Sequence, residues 1–190
     1  MTTSTGSAGA GPRYSGMAML LHWLVAVAVI ANWRIAENAE HAASQEARSA
    51  IMGNHFALGV VIFIAVVLRL VWRTGKGVPP PQAGHADWER ALAKLVHYLF
   101  YALLLVMPLA GWLAMSKYGS PINVWGLFEV PALPVAPDPE GAKDIFEQHG
   151  TAGKVMLGLI VVHILGTLKH TLLNRDGNLF RMLPFGTPRA

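Results

Sequence analysis

The chain has 190 residues and a formal net charge of +4; 53% of its residues are hydrophobic and only 14% are charged. Soluble domains carry about 25% charged residues, so this composition, with a mean hydropathy of +0.40, excludes an ordinary soluble domain and indicates a single integral membrane domain. The absence of cysteine excludes disulfides, thiolate metal sites, iron–sulfur clusters and covalent haem attachment through a C-x-x-C-H motif.

The hydrophobic segments predict an all-α membrane protein with four transmembrane helices, because a backbone in lipid must satisfy its own hydrogen bonds. The predicted spans are residues 14–35, 51–72, 91–115 and 146–173. Pro108 falls within the third span and predicts a kink there. Residues 1–13 are predicted to be a disordered segment, residues 14–184 one domain and residues 185–190 a tail. A cleaved signal peptide is the alternative for the start of the chain, but the apolar run is long and no small-residue cleavage site follows it.

The basic residues predict the orientation of the helices. Ten lie at one side of the predicted bundle: Arg13, Arg69, Arg73, Lys76, Arg90, Lys94, Lys169, Arg175, Arg181 and Arg189. Five lie at the other: Arg34, Arg48, Lys117, Lys143 and Lys154. Since positive loops stay in the cytoplasm, both termini are predicted to be cytoplasmic, in a multi-pass protein of the bacterial inner membrane. This asymmetry also explains the pI of about 9.6 without a nucleic acid partner.

The fourth span carries two histidines, His149 and His163, whose spacing places them on one helical face. Fourteen residues bring the second side chain to within about 40° of the first and roughly 21 Å along the axis. Depth in the predicted bundle then pairs His55 with His149 near the outer side and His22 with His163 nearer the cytoplasm. The hypothesis is that each pair supplies the two axial ligands of one haem, giving a bundle that encloses two b-type haems.

A haem lies flat against its ligand's helix, so a small neighbour one turn away favours a histidine as a ligand. Each of the four histidines has such a neighbour: Ala26, Gly59, Gly153 and Gly166. The alternative for any single one is a hydrogen bond to a backbone carbonyl or another helix. Four ionisable groups at matched depths favour function over that alternative, because such groups are costly in a membrane.

The remaining histidines and nearby cations receive secondary predictions. His97 is assigned a hydrogen-bonding or propionate-binding role, with replacement of His22 as a ligand as the alternative. His170 either lines a quinone pocket or extends to the interface, and His41 and His85 are predicted to be solvated in loops. Arg69 and Arg73 either bind propionates or a quinone carbonyl or anchor the helix in the membrane, and Lys154 is the corresponding candidate at the outer haem.

Several segments together resemble the bacterial cytochrome b561 family, which is related to the cytochrome b subunits of nickel hydrogenases and formate dehydrogenases. The segments are LLHWLVAVAVIANW, NHFALGVVIFIAVVLRLVWR, HYLFYALLLVMPLAGW, QHGTAGKVMLGLIVVHILGTLKH and NRDGNLFRMLP. The resemblance covers roughly residues 14–184. It implies a four-helix bundle with two b haems, ligands at His22, His55, His149 and His163, and quinone exchange on the cytoplasmic side near His170.

The family includes a superoxide oxidase, and the loop from Ser116 to Asp144 resembles that branch. The resemblance therefore implies electron transfer from superoxide, or another outer one-electron donor, to ubiquinone. Superoxide is an anion, and the predicted outer side has five basic against eight acidic residues, so steering would need a local cluster of Arg34, Arg48, Lys117 or Lys154. The second hypothesis is a membrane-anchor subunit that relays electrons for a separate periplasmic redox partner, and the third is a haem-free bundle with structural histidines.

Overall fold

The computed structural model of the protein describes residues 12–80 and 85–188. Its framework consists of four helices, each long and apolar enough to cross a membrane. They are α1 Gly16–Glu40, α2 Gln45–Lys76, α3 Asp87–Lys117 and α4 Pro139–Leu168. Even α1, with 25 residues, exceeds the ~20 residues that a bilayer requires. The predicted four-helix membrane bundle is confirmed. Residues 1–11, on which most of the predicted N-terminal disorder falls, lie outside the described residues.

The helices extend beyond the predicted spans because polar caps continue them outside the apolar runs. The Ser44 hydroxyl accepts a hydrogen bond from the backbone of Ala47 at the start of α2 (3.2 Å), and Asp138 accepts one from Gly141 at the start of α4 (3.0 Å). Such caps satisfy backbone N–H groups that have no partner within the helix. α2 ends at Lys76 and is followed by Gly77, whose φ of 73° favours glycine. α3 continues through Pro108, and the kink there remains a prediction.

The segment between α3 and α4 is more ordered than the predicted loop from Ser116 to Asp144. It contains an antiparallel hairpin of β1 Ile122–Val124 and β2 Phe128–Val130, and its last residues already belong to α4. Trp125 and Gly126 have φ values of 50° and 74°, and the N–H of Leu127 donates to the carbonyl of Val124 (3.0 Å). Two consecutive positive φ values make a type I′ turn, which matches the twist of paired strands.

Close backbone contacts join α1 to α2, α3 to α4 and, less extensively, α2 to α3. Fully buried side chains are few, and many large apolar ones point outward; Val71 is 64% exposed and Leu165 is 59% exposed. Lipid solvates such surfaces, so packing between helices rather than burial from water holds a bundle of this kind together. We call the end with the α1–α2 and α3–α4 connections the outer end, and the end near both described termini the inner end.

The inner end is tied together by hydrogen bonds from Arg181 and Trp23. α4 continues into a π-helical turn, Lys169–Leu173, followed by a 3₁₀ helix, Asn178–Met182. Arg181 is buried and donates to the carbonyls of Pro12 (3.0 Å) and Pro80 (2.7 Å), and the Trp23 indole donates to Met182 (2.8 Å). These bonds hold the C-terminal segment across the ends of α1 and α2. The division into one domain and a terminal tail remains a prediction.

Candidate functional site: two histidine clusters along α4

The outer histidine pair joins α2 to α4. The ring centroids of His55 and His149 lie 6.0 Å apart with their planes at 76°. The Nδ1 of His55 lies 3.1 Å from the backbone oxygen of Asn32, and because a carbonyl can only accept, Nδ1 must carry the proton. The Nε2 of a neutral His55 therefore keeps its lone pair, which is the arrangement of a histidine that binds a metal.

The inner cluster contains three histidines rather than two. The rings of His22 and His163 lie 6.3 Å apart with planes at 66°, and the ring of His97 lies 5.6 Å from that of His163 with planes at 82°. The Nδ1 of His97 contacts the carbonyl of Ala93, one turn earlier in its own helix (2.6 Å). Both partners considered for His163 therefore lie beside it.

The ring spacings are those that an ion between two imidazoles requires. A metal–imidazole nitrogen bond is about 2 Å long and the ring centre lies roughly 1 Å behind that nitrogen, so two axial rings on one ion have centroids roughly 6 Å apart. The His55–His149 and His22–His163 separations of 6.0 and 6.3 Å agree with this value. The ring centroids of His97 and His163 are only 5.6 Å apart, which leaves less room for an ion between the two rings.

A cavity of about 500 Å³ surrounds the outer pair and is lined by all four helices and by Ile122 of the hairpin. Four glycines line it, Gly59, Gly111, Gly150 and Gly153; a Cβ at Gly111 would lie 3.9 Å from Cε1 of His149. The Nδ1 of His149 is buried, and the backbone of Met107 in α3 lies close enough to act on this imidazole. Small neighbours, a mainly apolar wall and paired imidazoles fit a flat haem.

The charges around this cavity are mainly negative. Three carboxylates line it, Glu37, Glu40 and Glu147, and Lys154 is the one cation among its described lining residues. The other cations considered for steering are engaged: Arg48 donates to the Ala39 carbonyl (3.2 Å), Arg34 lies over the Trp33 ring, and Lys117 pairs with Asp138 (2.6 Å). The hydrogen bond from Lys117 holds the pKa of Asp138 below its usual value. The described residues thus form no positive funnel here.

Two arginines of α2 approach the inner cluster. Arg69 donates to the carbonyl of Ala18 (2.8 Å), and its charge acts on all three inner histidines. Arg73 acts electrostatically on His97. The outer cluster thus faces mainly carboxylates, whereas the inner cluster faces guanidinium groups.

The prediction that His85 is solvated is wrong, whereas His41 is exposed as predicted. The side chain of His85 is 15% exposed and that of His41 is 77% exposed. Nε2 of His85 contacts Oδ2 of Asp176 (3.0 Å), and Nδ1 of His170 contacts the same oxygen (2.9 Å). His85, which directly precedes α3, packs beside the π-helical turn, so His85 and His170 both lie against Asp176 although they are far apart in sequence.

A family model described as prokaryotic cytochrome b561 matches residues 13–185. The chain belongs to the prokaryotic cytochrome b561 family. Members of this family are membrane proteins that bind b-type haem in a helical bundle and transfer electrons. The family resemblance drawn from the sequence is confirmed.

Curated relatives extend over nearly the whole chain. Cytochrome b561 homolog 2 of Escherichia coli K12 is 27% identical over 176 residues, which cover 90% of this chain and 91% of the relative. The probable superoxide oxidase CybB of Yersinia pestis is 25% identical over 174 residues, covering 90% and 96%. Cytochrome b562 of Cereibacter sphaeroides is 26% identical over 177 residues, covering 90% and 96%.

Sequence reasoning missed three features of the site. Asn32 is buried and supplies the carbonyl that contacts His55; its only signal was a polar residue within an apolar run. Gly111 lies opposite His149, but it is in α3, whereas the sequence argument considered only small residues in the same helix as each histidine. No strands were predicted for the hairpin at the outer end; its only signal in the sequence was Gly126 in the turn.

Proposed function

We propose that this protein transfers electrons across the membrane from a donor at its outer end to ubiquinone at its inner end, using two b haems. His55 and His149 are the proposed axial ligands of the outer haem, and His22 and His163 those of the inner haem. When bound, each haem supplies a one-electron carrier whose potential the protein sets through its ligands and surroundings. The observation that carries the proposal is the pair of histidine contacts, 6.0 and 6.3 Å between ring centroids, along one helix.

His163 takes His22 rather than His97 as its partner in this proposal. The 6.3 Å separation of His22 and His163 accommodates an ion between the rings, whereas the 5.6 Å separation of His97 and His163 is shorter. His97 then acts beside the inner haem, with Arg69 and Arg73 as the groups that pair with propionates. At the outer haem Lys154 is the proposed partner of the propionates, since it lines the same cavity as His149.

The proposed orientation places both termini in the cytoplasm of a bacterium and the hairpin on the outer face of the inner membrane. Ten of the fifteen basic residues then lie on the cytoplasmic side, as the positive-inside rule requires. Quinone accepts two electrons and two protons at the inner end near His170. Those protons come from the cytoplasm, while the electrons arrive one at a time from the outer end.

Superoxide is the first candidate donor, because a relative named as a probable superoxide oxidase is similar over nearly its whole length. In that reaction two superoxide ions each give up one electron and become oxygen, and one ubiquinone takes both electrons and two protons to become ubiquinol. Cavity electrostatics oppose the approach of an anion, because three carboxylates and one lysine line the cavity.

The second candidate is relay of electrons from a separate redox protein, and the same carboxylates favour it. A partner with a basic surface would be attracted to Glu37, Glu40 and Glu147, and attraction of this kind accelerates association at low salt. Ionic strength separates the two donors. Added salt should accelerate reduction by superoxide, since it screens repulsion, and should slow reduction by a basic partner.

The test of the proposed function begins with the detergent-purified protein and its dithionite-reduced minus oxidised spectrum. Two b-type haems per chain, followed by haem reduction with superoxide and quinol formation when ubiquinone is added, would support the superoxide reaction. Two haems that superoxide does not reduce would support the relay. A protein without haem would contradict both.

A further inference from the structure

Three potential metal ligands from separate segments meet at the inner end of the bundle. His85 precedes α3, His170 lies in the π-helical turn after α4, and Asp176 lies beyond that turn. One ligand atom from each residue lies within 4.8 Å of the other two. All three side chains are 13–15% exposed, so the cluster is shielded from bulk water and still reachable from the surface. We propose that His85, His170 and Asp176 form a binding site for a divalent ion of the zinc class.

The donor set determines which ions fit. Two imidazole nitrogens and one carboxylate oxygen suit zinc and its neighbours among the divalent transition metals, whereas magnesium and calcium prefer oxygen ligands. Tetrahedral zinc with bonds of about 2.1 Å holds its ligand atoms about 3.4 Å apart. The Asp176 oxygen lies 3.0 Å from Nε2 of His85 and 2.9 Å from Nδ1 of His170, so these pairs must open by a few tenths of an ångström to admit the ion. The centroids of the two imidazole rings lie 4.0 Å apart, and the rings must separate by about 1 Å more to bind it together.

Hydrogen bonds hold the carboxylate in place for this role. Oδ1 of Asp176 accepts from the backbone N–H of Asn178 (2.9 Å), which leaves Oδ2 directed at the two imidazoles. Partial burial alone would raise the pKa of Asp176, but the bonds from Asn178, His85 and His170 outweigh it and lower that pKa. The carboxylate is therefore ionised at neutral pH. It neutralises part of the charge of a bound cation.

The backbone around the cluster has an uncommon geometry. π-helical turns are rare and frequently occur at functional sites. Arg175 then adopts a φ of 52°, which is rare for a residue with a side chain. This conformation reverses the chain, so that the N–H of Asp176 donates to the carbonyl of His170 (3.2 Å). The reversal places the carboxylate beside the imidazole six residues earlier.

Neighbouring polar groups are compatible with a cation. Lys169 is ion-paired with Glu89 and lies over the Trp88 ring, so its charge is compensated. The side-chain amide nitrogen of Asn174 lies 3.1 Å from Nδ1 of His170. Rotation of this amide by 180° would turn its oxygen toward the same point as a fourth donor; with the present orientation, a water molecule would supply the fourth ligand. Coordination requires the neutral form of each imidazole, with its proton on the other nitrogen.

The site joins the segment before α3 to the end of α4, so metal binding should stabilise the inner end. Stabilisation by the metal requires neither haem nor quinone, and a failure here would leave the proposed electron transfer untouched. A bound ion would occupy His170, beside which the proposed function places quinone, and would therefore compete with quinone there. The competing account is a hydrogen-bonded His–Asp–His cluster that binds no ion. Direct measurement of metal binding distinguishes the two.

The experiment is a calorimetric titration of the haem-loaded, EDTA-treated protein with zinc chloride, and with magnesium chloride as the comparison ion. We expect one zinc site per chain of micromolar affinity, and no comparable magnesium binding. His85→Ala and Asp176→Asn should each weaken zinc binding by more than about 10-fold. Loss of a residue that only hydrogen-bonds to a metal ligand already costs at least that much, and these two residues are proposed as ligands themselves. His41→Ala is the matched control, because His41 is exposed at the other end and has a carboxylate, Glu37, at 3.9 Å.

A second readout guards against variants that are merely misfolded. Zinc should raise the Tm of the wild type and of His41→Ala but not of Asp176→Asn, since a ligand stabilises only a protein that binds it. The haem-to-protein ratio of each variant reports its fold. The proposal is overturned if the wild type binds zinc no more tightly than magnesium, or if well-folded His85→Ala and Asp176→Asn keep the wild-type zinc affinity.

Discussion

The outer and inner ends of the bundle contain similar histidines in different electrostatic surroundings. At the outer end His55 and His149 face a cavity with three carboxylates and one lysine. At the inner end His22 and His163 are joined by His97 and by the charges of Arg69 and Arg73. Nearby anions make a haem harder to reduce and nearby cations make it easier, because reduction removes one positive charge. In the proposed function, this difference would favour electron flow from the outer end to the inner end.

The largest effect is expected when one proposed haem ligand is removed at either end of the bundle. His149→Ala should abolish the outer haem alone and His163→Ala the inner haem alone, since each removes one of two iron ligands. The haem-to-protein ratio should fall from two to one in each variant. His41→Ala, which removes an exposed histidine, should keep two haems. Retention of two haems by both ligand variants would show that the ligand assignment is wrong.

A second pair of variants sharpens the assignment within the inner cluster. His22→Ala should lose the inner haem, whereas His97→Ala should keep it with altered spectral or redox properties. The reason is that the 6.3 Å pair accommodates an ion and the 5.6 Å pair accommodates it less well. The reverse result, with haem lost only in His97→Ala, would make His97 the partner of His163.

The charge difference can be tested by removing one cation at the inner end. Arg69→Gln should lower the potential of the inner haem by roughly 60 mV, which corresponds to about 1.4 kcal/mol for one electron, a plausible size for one partly screened charge. The potential of the outer haem should stay the same. Arg90→Gln, which removes an exposed arginine paired with Asp87, is the control. Equal shifts of both haems would contradict a local effect.

The outer cavity offers the opposite test. Glu147→Gln removes one carboxylate beside His149 and should increase the rate of haem reduction by superoxide severalfold at low salt, because it reduces repulsion of an anion. Stopped-flow measurements at several salt concentrations would follow this rate. The gain should shrink as salt increases. A slower reaction in the variant would mean that Glu147 assists the donor.

The smallest expected effect concerns the start of α4. The pKa of Asp138 is lowered by its hydrogen bond with Lys117, so the carboxylate contributes stability above its unfolded pKa of about 3.9, and that contribution is lost as the pH falls through the lower folded value. Asp138→Asn should therefore lower the Tm slightly at pH 7, with the difference from wild type shrinking below pH 4. Asp144→Asn, in the same helix, is the control. A difference that is independent of pH would contradict an ionic origin.

Much of the fold and of the histidine geometry could be predicted because both follow from periodicity. Apolar runs determine which segments are membrane helices, and the spacing of His149 and His163 determines that they share a face of α4. Depth in the bundle then predicts contacts that the structure contains, between His22 and His163 and between His55 and His149. The assignment of these histidines as haem ligands remains a prediction.

The features that could not be predicted depend on contacts between distant segments. His85 packs near the end of α4, and no local pattern signals its contact with Asp176, which is 91 residues away. The hairpin strands have only three residues each, too few for a reliable period. Helix ends were misjudged because polar caps such as Ser44 and Asp138 extend helices beyond the apolar segments.

The central claim is that two haems of different potential lie along α4, the outer one being harder to reduce. A potentiometric titration of the purified wild type and of His149→Ala tests this most directly. We predict two one-electron steps in the wild type and loss of the lower-potential step in His149→Ala. A single step that accounts for one haem per chain, or loss of the higher-potential step in that variant, would contradict the account.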